Sequence, residues 1–568
     1  MILDQIKSAV EFATHIPRYR EIVRVLLKYG FADVLKLVAL QRFLGLPEDA
    51  GTPSAAEGLL SLPLPERVRM ALEELGPTFV KFGQIVSSRR DLVTDEYYVE
   101  LCKLQAGVPA FPAREARKIL ADQLGVPVRR AFSSFDDEPV GAASIAQVHR
   151  ATLPDGTAVA VKIQRPDIIE KIELDLAILS DLARFVEKHV PDLAVLNPVG
   201  VVEEFSATLL KELDFTNEAI NAERFAQQFE GNPWIKVPRI FREQSSDKIL
   251  VMEFLEGASP AEPAQLEALG IDCRDLGKHI TELIYEQIFT HGFFHGDPHP
   301  GNMLVRPGGV TALLDYGMMG SFTPAFRSSI AHLIAGLAEK DLQQVQRSIL
   351  AMSEEGYTPN PGRMLSDVEA FTEAHLNRPL RDINLGHVLN RLLDLLRNNR
   401  LRMKSSFYLG IKALTQVEAI GRSLDPDLNF IMLGEPYAMK LIRGKYEPAR
   451  IFGVLRNFLG ESLDFLEDFP HDFRNIYQQV KHGRINIPLE HKIDPKGFEP
   501  LRKTLDSIAN RLTNAILTAS VLICSGILVL ADIPPQIGGI PAIGLAGLIW
   551  GGYMCLRLVL SIWKHGGL

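Results

Sequence analysis

Residues 295–317 read HGDPHPGNMLVRPGGVTALLDYG, with three chemically important polar residues placed around two short apolar runs. Asn302 follows Asp297 by five residues, and Asp315 follows Asn302 by thirteen. The Pro-Gly-Gly sequence at 307–309 lies between the apolar runs and is typical of a tight turn. We therefore expect a hairpin with Asn302 at its entrance and Asp315 at its exit. The alternative is an Asp- and Gly-rich pair of turns without any chemistry.

The same residues match the signature of protein kinases, which combines H-R-D-x-x-x-x-N with D-F-G. The tripeptide HGD at 295–297 and Asn302 correspond to the first part, and DYG at 315–317 to the second. In kinases the first Asp orients the attacking hydroxyl, while the Asn and the second Asp hold Mg²⁺ beside the phosphates of ATP. The pattern predicts phosphoryl transfer from ATP, with Asp297 as the catalytic residue and Asn302 and Asp315 as magnesium ligands.

Upstream, the run PVGAASIAQV is typical of a hairpin that covers phosphates, and AVAVK is typical of a strand that ends in V-A-x-K. Against the kinase pattern G-x-G-x-x-G-x-V, Gly141 and Val148 match, and Ala143 and Ala146 replace the other two glycines. The alanines keep the loop small but limit how closely its backbone approaches a phosphate. Lys162 follows Val148 by fourteen residues, so we expect it to bind the α- and β-phosphates.

A helical region is predicted over 168–229, and an apolar strand ending in a glycine turn over 249–257. The strand is interpreted as the hinge between two lobes, with backbone groups at Glu253 and Leu255 available to adenine. In a kinase, a helix carboxylate pairs with the phosphate-binding lysine. The candidates for this pairing are Glu203, Glu204, Glu212, Asp214 and Glu218.

Residues 64–104 are also predicted to be helical, and they contain the sequence PTFVKFGQ at 77–84. Lys81 and Gln84 are three residues apart and share a helix face. A polar surface stripe is one explanation of this pattern. The apolar neighbours indicate instead that the segment is mostly buried, and a buried lysine needs a partner. We therefore interpret Lys81 and Gln84 as functional.

Composition restricts the class of protein. The chain has 568 residues, which predicts two to four structural units, and its net charge of −9 argues against nucleic acid as a partner. It has four cysteines and no C-x-x-C pair, so neither a zinc site nor a disulfide framework is expected. Acidic residues near the N-terminus argue against a secretory or transit peptide.

Two long segments near the C-terminus, 512–531 and 533–556, contain no charged residue. Their lengths predict a transmembrane helical hairpin, and the basic residues at both ends predict that both ends face the cytoplasm. The alternative is a buried helical pair in a soluble core. A basic amphipathic helix predicted over 1–46 can lie on an anionic membrane surface or pack on the protein's own core.

Together these features resemble one family, the UbiB-like atypical kinases, which are tied to ubiquinone biosynthesis. The Ala-rich loop of the family begins with Ala, whereas this chain has Gly141 there. The matching elements are Lys81-Phe82-Gly83-Gln84 (K-x-G-Q), Gly141-Ala142-Ala143-Ser144 (the Ala-rich loop), Lys162, Glu212-Leu213-Asp214 (E-x-D), Asp297, Asn302 and Asp315.

The resemblance implies an α+β, two-lobed protein-kinase-like fold with an N-terminal helical extension and a C-terminal transmembrane helical hairpin. The expected boundaries are an amphipathic helical region at 1–50, the K-x-G-Q extension at 64–130, an N-lobe at 131–257, a C-lobe at 258–460, a connecting segment at 461–510 and two transmembrane helices at 511–562. It also implies a location in the cytoplasmic membrane, with the kinase-like core on the cytoplasmic side.

For function, the resemblance implies an ATPase that uses ATP and Mg²⁺ and supports synthesis of a prenyl quinone. The implied partners are prenylated phenol or quinone lipid intermediates, membrane lipids and quinone-biosynthesis enzymes. Glu218, or else Glu212, would orient Lys162, and Lys81 and Gln84 would reach into the site and pair with Glu212 or Asp214. The expected nucleotide-binding residues are Gly141, Ala142, Ala143, Ser144, Val148, Lys162, Glu218, Glu253 and Leu255.

Two absences bear on the substrate. Gly296 replaces the Arg of H-R-D, so no guanidinium is available there for an activation-loop phosphate. No A-P-E sequence follows residues 315–317, and the next predicted helix begins almost at once. Both absences favour a small or lipid-like acceptor, or water. A protein kinase that phosphorylates a partner protein and a nucleotide-binding scaffold without turnover are the alternatives.

Overall fold

The computed structural model describes residues 16–31, 59, 61–89, 92–104, 109–190, 197–354, 359–376, 385–443, 517–530, 536–537 and 540–565. They belong to two units, which divide between Leu455 and Arg456. The first unit contains the helices α1 (16–28), α2 (Leu64–Leu75), α3 (Pro77–Ser88), α4 (Asp95–Leu101), α5 (Ala113–Leu124), α6 (Val128–Ala131), α7 (Ile168–His189), α8 (Pro198–Leu213), α9 (Phe215–Gln228), α10 (Pro263–Ala268), α11 (Cys273–Tyr285), α12 (Pro324–Glu339), α13 (Leu342–Met352), α14 (Pro361–Leu376), α15 (Leu385–Asn398), α16 (Ser405–Leu424) and α17 (Phe430–Arg443). Its strands are β1 (Ser134–Ala142), β2 (Ala146–Thr152), β3 (Ala158–Gln164), β4 (Ile235–Lys236), β5 (Ile249–Glu253), β6 (Phe293–His295), β7 (Met303–Arg306), β8 (Val310–Leu313) and β9 (Met319–Ser321).

The N-terminal lobe is built on an antiparallel sheet with the strand order β1-β2-β3-β5. In β3 the side chains of Val159, Val161 and Ile163 are fully buried and pack against α5. Because strand side chains alternate between faces, Lys162 projects from the opposite face. On that face the sheet packs against α7, α8 and α9. The predicted strands on both sides of the Ala-rich loop are confirmed.

The hairpin predicted from residues 295–317 is also present. Strands β7 and β8 pair antiparallel, with Met303 opposite Leu313 and Arg306 opposite Val310. Gly308 and Gly309 in the connecting turn have φ values of 84° and 78°, a left-handed region that glycine adopts readily. Strand β4 adds to β8 in parallel. The glycines of the turn therefore fix the register of β7 and β8, and this register sets the distance between the two ends of the motif.

The chain continues from this hairpin directly into the C-terminal lobe. Strand β9 begins two residues after Gly317 and pairs with β6, and α12 follows at Pro324. Phe294 and Tyr316 are almost fully buried in a large apolar cluster that includes residues of α11, α13 and α16. The motif strands are therefore anchored in the lobe core, and little chain remains for a long loop after residue 317.

The sequence left two interpretations of the N-terminal helix, a membrane surface or the protein's own core. The structure tests them for α1, residues 16–28. Ile22, Val23 and Val25 are buried in the same apolar cluster as α7. The buried Arg18 guanidinium lies 2.8 Å from Asp175 Oδ1 and donates to the Leu75 carbonyl at 2.7 Å. These residues pack on the protein's own core. The rest of the predicted helix lies outside the described residues, as does the predicted connecting segment at 461–510.

The second unit includes a helix at 517–530, the short strand pair Gln536–Ile537 and Ile540–Pro541, and the helix Ala542–His565. The described part of the first helix, 517–530, covers about 21 Å at 1.5 Å per residue, and a bilayer core is about 30 Å thick. The second helix is longer, but it contains Arg557 and Lys564.

In the described parts of the chain, no helix has both the length and the apolar character needed to cross a membrane. The predicted transmembrane hairpin at 511–562 is therefore wrong, and so is the location in the cytoplasmic membrane that depended on two C-terminal spans. Counting uncharged residues overestimated the spans, because such a count does not show where each helix begins and ends.

Candidate active site

A buried ion pair joins the N-lobe sheet to the helices beside it. Lys162 Nζ lies 2.7 Å and 2.9 Å from the two carboxylate oxygens of Glu218, in the first turn of α9. Burial disfavours the charged lysine, but the carboxylates of Asp315 and Glu218 outweigh that effect and raise the pKa of Lys162. Of the five carboxylates considered from sequence, Glu218 is the one whose oxygens contact Lys162.

The two ends of the β7–β8 hairpin face this pair. Asp315 Oδ2 lies 3.5 Å from Lys162 Nζ, and Asp315 Oδ1 accepts the Gly317 N–H at 2.7 Å. Burial opposes ionisation, yet Lys162 and the Gly317 N–H hold the pKa of Asp315 well below its usual range. Asn302 donates its amide nitrogen to the Asp297 carbonyl at 3.2 Å, so its amide oxygen is left for another partner.

The buried His295 connects these motif residues. Its Nδ1 accepts the Asp297 N–H at 3.1 Å, so Nε2 carries the proton and donates to the Asp315 carbonyl. Burial lowers the pKa of His295, which keeps the ring neutral in this arrangement. The histidine therefore fixes the spacing between the backbone at Asp297 and the residues at 315–317.

The K-x-G-Q element, on α3, contributes Lys81 to the same group of residues. Lys81 Nζ lies 2.5 Å from Glu212 Oε1, and although burial opposes it, Glu212, Asp315 and Asp297 raise the pKa of Lys81. Gln84 does not pair with either expected carboxylate, because it donates to the Leu104 carbonyl at 3.1 Å. Asp214 instead accepts the Thr216 N–H and caps α9.

A cavity of about 700 Å³ is lined both by residues of the K-x-G-Q element and by residues of the motif at 295–317. Its polar lining includes Lys81, Gln84, Lys162, Glu212, Asp297, Asn302 and Asp315. Its apolar lining includes Phe82, Ile85, Leu101, Leu104, Phe205 and Tyr408. The structure thus gathers the motif residues around one space that also has a substantial apolar wall.

Several expected nucleotide contacts do not line this cavity. Ala143 and Ser144 do, but Gly141, Ala142, Val148, Glu253 and Leu255 do not. The Glu253 side chain pairs with Lys236 at 2.7 Å, and Leu255 is buried. A methyl group added at Gly141 would meet nothing within 4 Å, so the glycine is not required there by packing.

Sequence reasoning missed two residues of the site. Gln416 Nε2 donates to Asp297 Oδ1 at 2.8 Å, and Lys412 Nζ lies 3.1 Å from the same oxygen. Burial opposes ionisation of Asp297, but Lys412 and Gln416 lower its pKa. Both residues lie on α16, more than a hundred residues after Asp297. The available signal was a Lys and a Gln four residues apart on a helix with many apolar residues, a pattern similar to the one that singled out Lys81.

The residues at the hairpin ends fit a magnesium ion. Magnesium keeps several waters and binds one or two carboxylates together with phosphate oxygens. Asp315 supplies a carboxylate and Asn302 an amide oxygen beside the cationic Lys162. Within the described residues no cluster of three His, Cys, Asp or Glu side chains can hold a metal alone.

Comparisons with known proteins identify the families and relatives that this chain resembles. Family models match an ABC1 atypical kinase-like domain at 103–349, a UbiB helical domain at 368–429 and an ABC1/UbiB kinase-like C-terminal domain at 496–564. An uncharacterized protein of Clostridium pasteurianum is 31% identical over 97% of this chain and 99% of its own length. A probable protein kinase UbiB of Marinobacter nauticus is 36% identical over 73% of this chain and 77% of its own length. The solved Rv3197–erythromycin complex from Mycobacterium tuberculosis is 26% identical and covers 64% of this chain and 93% of that chain, with a TM-score of 0.44.

The antiparallel sheet, the buried Lys162–Glu218 pair and the hairpin that ends at Asp315 define a protein-kinase-like protein. The site has one feature that ordinary protein kinases lack. The helical extension places Lys81 among the motif residues. The chain belongs to the UbiB-like atypical kinase family.

Proposed function

We propose that this chain binds Mg-ATP and transfers its γ-phosphoryl group to water or to a small hydroxyl acceptor, in support of the synthesis of ubiquinone or a related prenyl quinone. The observation that carries the proposal is the convergence of Lys162, Asp315 and Asn302 beside Asp297. A lysine held by a buried carboxylate, next to an acidic residue and an amide at the ends of a hairpin, suits a magnesium-bound triphosphate.

In this proposal Lys162 binds the α- and β-phosphates, and Glu218 holds its ammonium group in position. Asp315 and Asn302 bind Mg²⁺, which would neutralise charge on the phosphates. Asp297 orients the attacking oxygen and accepts its proton. The adenine is proposed to contact the backbone near Glu253 and Leu255, and the Ala-rich loop at 141–144 to cover the phosphates.

Three features support a small acceptor over a peptide. Lys81 and Glu212 occupy the side of the site that α3 covers. A side chain at Gly296 would lie 3.0 Å from the Met318 carbonyl, so an arginine of the H-R-D type does not fit there without movement. Only six residues lie between Gly317 and Pro324 at the start of α12, which is little room for a peptide-binding activation segment.

The chemistry of the cavity supports a prenylated phenol or quinone intermediate as the small molecule that this activity serves. Phe82, Leu104 and Phe205 offer apolar contacts suited to a prenyl chain. The polar end of the cavity, near Asp297, suits a phenolic head group. Enzymes of quinone biosynthesis are the proposed protein partners, since they supply or consume such lipids.

The test is phosphate release from ATP by the purified chain, with Mg²⁺ or with EDTA, and with or without a prenylated phenol carried in phospholipid vesicles. We expect Mg²⁺-dependent release that increases with the phenol and is lost in Asp315→Asn. Asp394→Asn, at a partly exposed site of α15, is the matched control and should keep the activity.

The same preparations distinguish the alternatives. Transfer of labelled phosphate to a partner protein, without release to water or phenol, would establish the protein kinase that the Marinobacter relative's name suggests. Binding of ATP without release or transfer under any condition would contradict the proposal and establish a nucleotide-binding scaffold.

A further inference from the structure

A buried glutamine lies just before the catalytic motif. Gln287 is 2% exposed and continues the buried face of α11, since it follows Leu283 by four residues and Ile284 by three. A polar side chain at such a core position needs a hydrogen-bonding partner. The amide oxygen of Gln287 accepts the His295 N–H at 2.9 Å. The glutamine therefore connects the end of this helix to β6, the strand that leads into the motif.

The backbone around Gln287 forms a single π-turn, Glu286–His291, which continues directly from α11. The Gly292 N–H donates to the Gln287 carbonyl, five residues earlier, at 2.8 Å. Turns of this kind are rare and occur frequently at functional sites. Gln287 therefore binds the end of the π-turn through its carbonyl and β6 through its side chain.

The π-turn also has supports from outside its own helix. Arg327 of α12 donates from Nη1 to the carbonyls of Phe289 and Thr290, at 3.2 Å and 2.5 Å. The Phe322 N–H donates to the Gly292 carbonyl at 2.8 Å. Carbonyls at the end of a helix have no intrahelical donor, so these bonds satisfy groups that the helix leaves open. The turn is thus tied to the segment that follows β9.

The His295 N–H points away from the strand that pairs with β6. Gly296 donates its N–H to the Met318 carbonyl at 2.8 Å, and neighbouring N–H groups of an antiparallel strand point in opposite directions. His295 is buried, so its N–H needs an acceptor within the protein. Gln287 supplies that acceptor.

From His295 the connection continues to both acidic residues of the motif. Its Nδ1 accepts the Asp297 N–H, and its Nε2 donates to the Asp315 carbonyl. A shift of the His295 backbone would therefore move Asp297 relative to Asp315. Displacements of about 1 Å in a catalytic arrangement can cost a large factor in rate. Gln287 does not line the cavity, so any effect that it has on the reaction passes through His295.

We propose that Gln287 is a positioning residue that, through His295, sets the distance between the catalytic Asp297 and the magnesium ligand Asp315. This inference rests on the proposed function, because it takes the roles of the two acidic residues from it. The acceptor oxygen of Gln287 is the feature that matters. A side chain of similar length without an acceptor should fill the space but fail to hold His295.

Two substitutions separate hydrogen bonding from packing. Gln287→Met keeps the length of the side chain and removes the acceptor, whereas Gln287→Glu keeps an acceptor oxygen and adds an acidic group to the interior. If Gln287 only filled space, Met would be the better replacement, because a buried acid is costly. The proposal predicts the opposite order. We expect kcat for phosphate release to fall about tenfold in Gln287→Met and to stay within about threefold of wild type in Gln287→Glu, with KM for ATP within about twofold in both.

Thr281→Val on α11 is the matched control. Thr281 is fully buried, and its hydroxyl donates to the Gly277 carbonyl of the same helix. The substitution removes a buried hydrogen bond that does not involve His295, so kcat should be unchanged. Thermal unfolding of each variant separates a loss of kcat from a loss of folded protein.

Hydrogen exchange at the His295 amide gives a readout that needs no turnover. This amide should exchange about tenfold or more faster in Gln287→Met than in the wild type, because its acceptor is gone. It should keep nearly the wild-type rate in Gln287→Glu and in Thr281→Val. The Gly296 amide, which is bonded to Met318, is the internal reference.

Three outcomes would overturn the inference. Full kcat in Gln287→Met, or a higher kcat in Gln287→Met than in Gln287→Glu, would show that Gln287 only fills space. An unchanged exchange rate at His295 in Gln287→Met would show that Gln287 does not hold this amide. Failure of the proposed function is distinct, because the wild type would then release no phosphate although the His295 amide still responded to Gln287→Met, and the positioning role would be lost with that function.

Discussion

At the scale of single residues, the Lys162–Glu218 ion pair places two opposite charges in the protein interior. Both groups are buried, and removing one partner of a buried pair leaves an uncompensated charge. Glu218→Gln should therefore release Lys162 from its position and weaken Mg-ATP binding by about tenfold or more. Titration calorimetry measures the affinity. Glu223→Gln, on the same helix but in a partly exposed pair with Arg242, is the matched control, and an equal loss in both variants would contradict a special position for Lys162.

Gly141 gives a second residue-scale prediction. Its φ is not in the left-handed region, and an added methyl group meets nothing within 4 Å. Gly141→Ala, which restores the family's Ala-rich loop, should therefore raise the free energy of unfolding by about 0.4–1 kcal/mol, mainly by restricting the unfolded chain. Denaturant unfolding measures the change. A loss of stability would show that the loop needs a conformation that alanine cannot adopt.

The pH dependence of the N-lobe is expected to involve His149, which lies on β2 opposite Val161 of β3. The ring is fully buried between a contact with the Asp136 carbonyl and one with Gln147, and burial lowers the pKa of His149 from its usual 6.5. The unfolded state therefore gains a proton that the folded state excludes. Stability from this group is present above about pH 6.5 and is lost as the pH falls below it.

Thermal unfolding between about pH 7.5 and pH 5.5 tests this, with a smaller acid-induced loss expected in His149→Gln than in the wild type. The matched control is His189→Gln, at an exposed site of α7. An identical slope in the wild type and His149→Gln would contradict the neutral buried ring.

At the scale of elements, the glycine of the K-x-G-Q sequence determines how closely α3 packs. A Cβ at Gly83 would lie 2.4 Å from Leu104 Cδ1 and 2.8 Å from Leu72 Cδ1, which is closer than carbon atoms approach. Gly83→Val should therefore destabilise the protein by about 1–3 kcal/mol through overpacking, and it should move Lys81 away from Glu212. Differential scanning calorimetry and hydrogen exchange in α2 and α3 measure these effects.

The control for that substitution is Gly362→Val in α14, where the nearest atom to an added Cβ is Asn360 Oδ1 at 3.5 Å. If both variants were equally stable, close packing at Gly83 would not explain why the element contains glycine. Another contact would then have to hold Lys81 in its position.

Elements were predictable from the sequence where local chemistry determined them. The hairpin at 303–313 followed from two apolar runs around a Pro-Gly-Gly turn, and its glycines adopt the expected positive φ. Strand β3 followed from the alternating Ala-Val sequence at 158–161, which matches V-A-x-K and ends at Lys162. Helix ends near the C-terminus did not follow, because an uncharged composition is compatible with helices, turns and short strands alike.

At the scale of the whole molecule, long-range contacts explain what the sequence could not predict. The five possible partners of Lys162 are all acidic residues on neighbouring helices, and only the packing of α9 on the sheet selects Glu218. Lys412 and Gln416 contact Asp297 from a distant part of the chain, and Gln416 is 119 residues away from it. No sequence motif links these positions. Motif matching found the candidate residues that lie in short sequence patterns, and the tertiary fold added Lys412 and Gln416 to the candidate site.

The most direct test of the account is the affinity for ATP of the wild type and Asp315→Asn, each measured by titration calorimetry with Mg²⁺ and with EDTA. The account predicts that Mg²⁺ strengthens ATP binding to the wild type by about tenfold or more and has no effect on Asp315→Asn, since the variant lacks the metal-binding carboxylate. Full Mg-ATP affinity in Asp315→Asn would contradict the assignment of the hairpin ends as the magnesium site and, with it, the phosphoryl-transfer function.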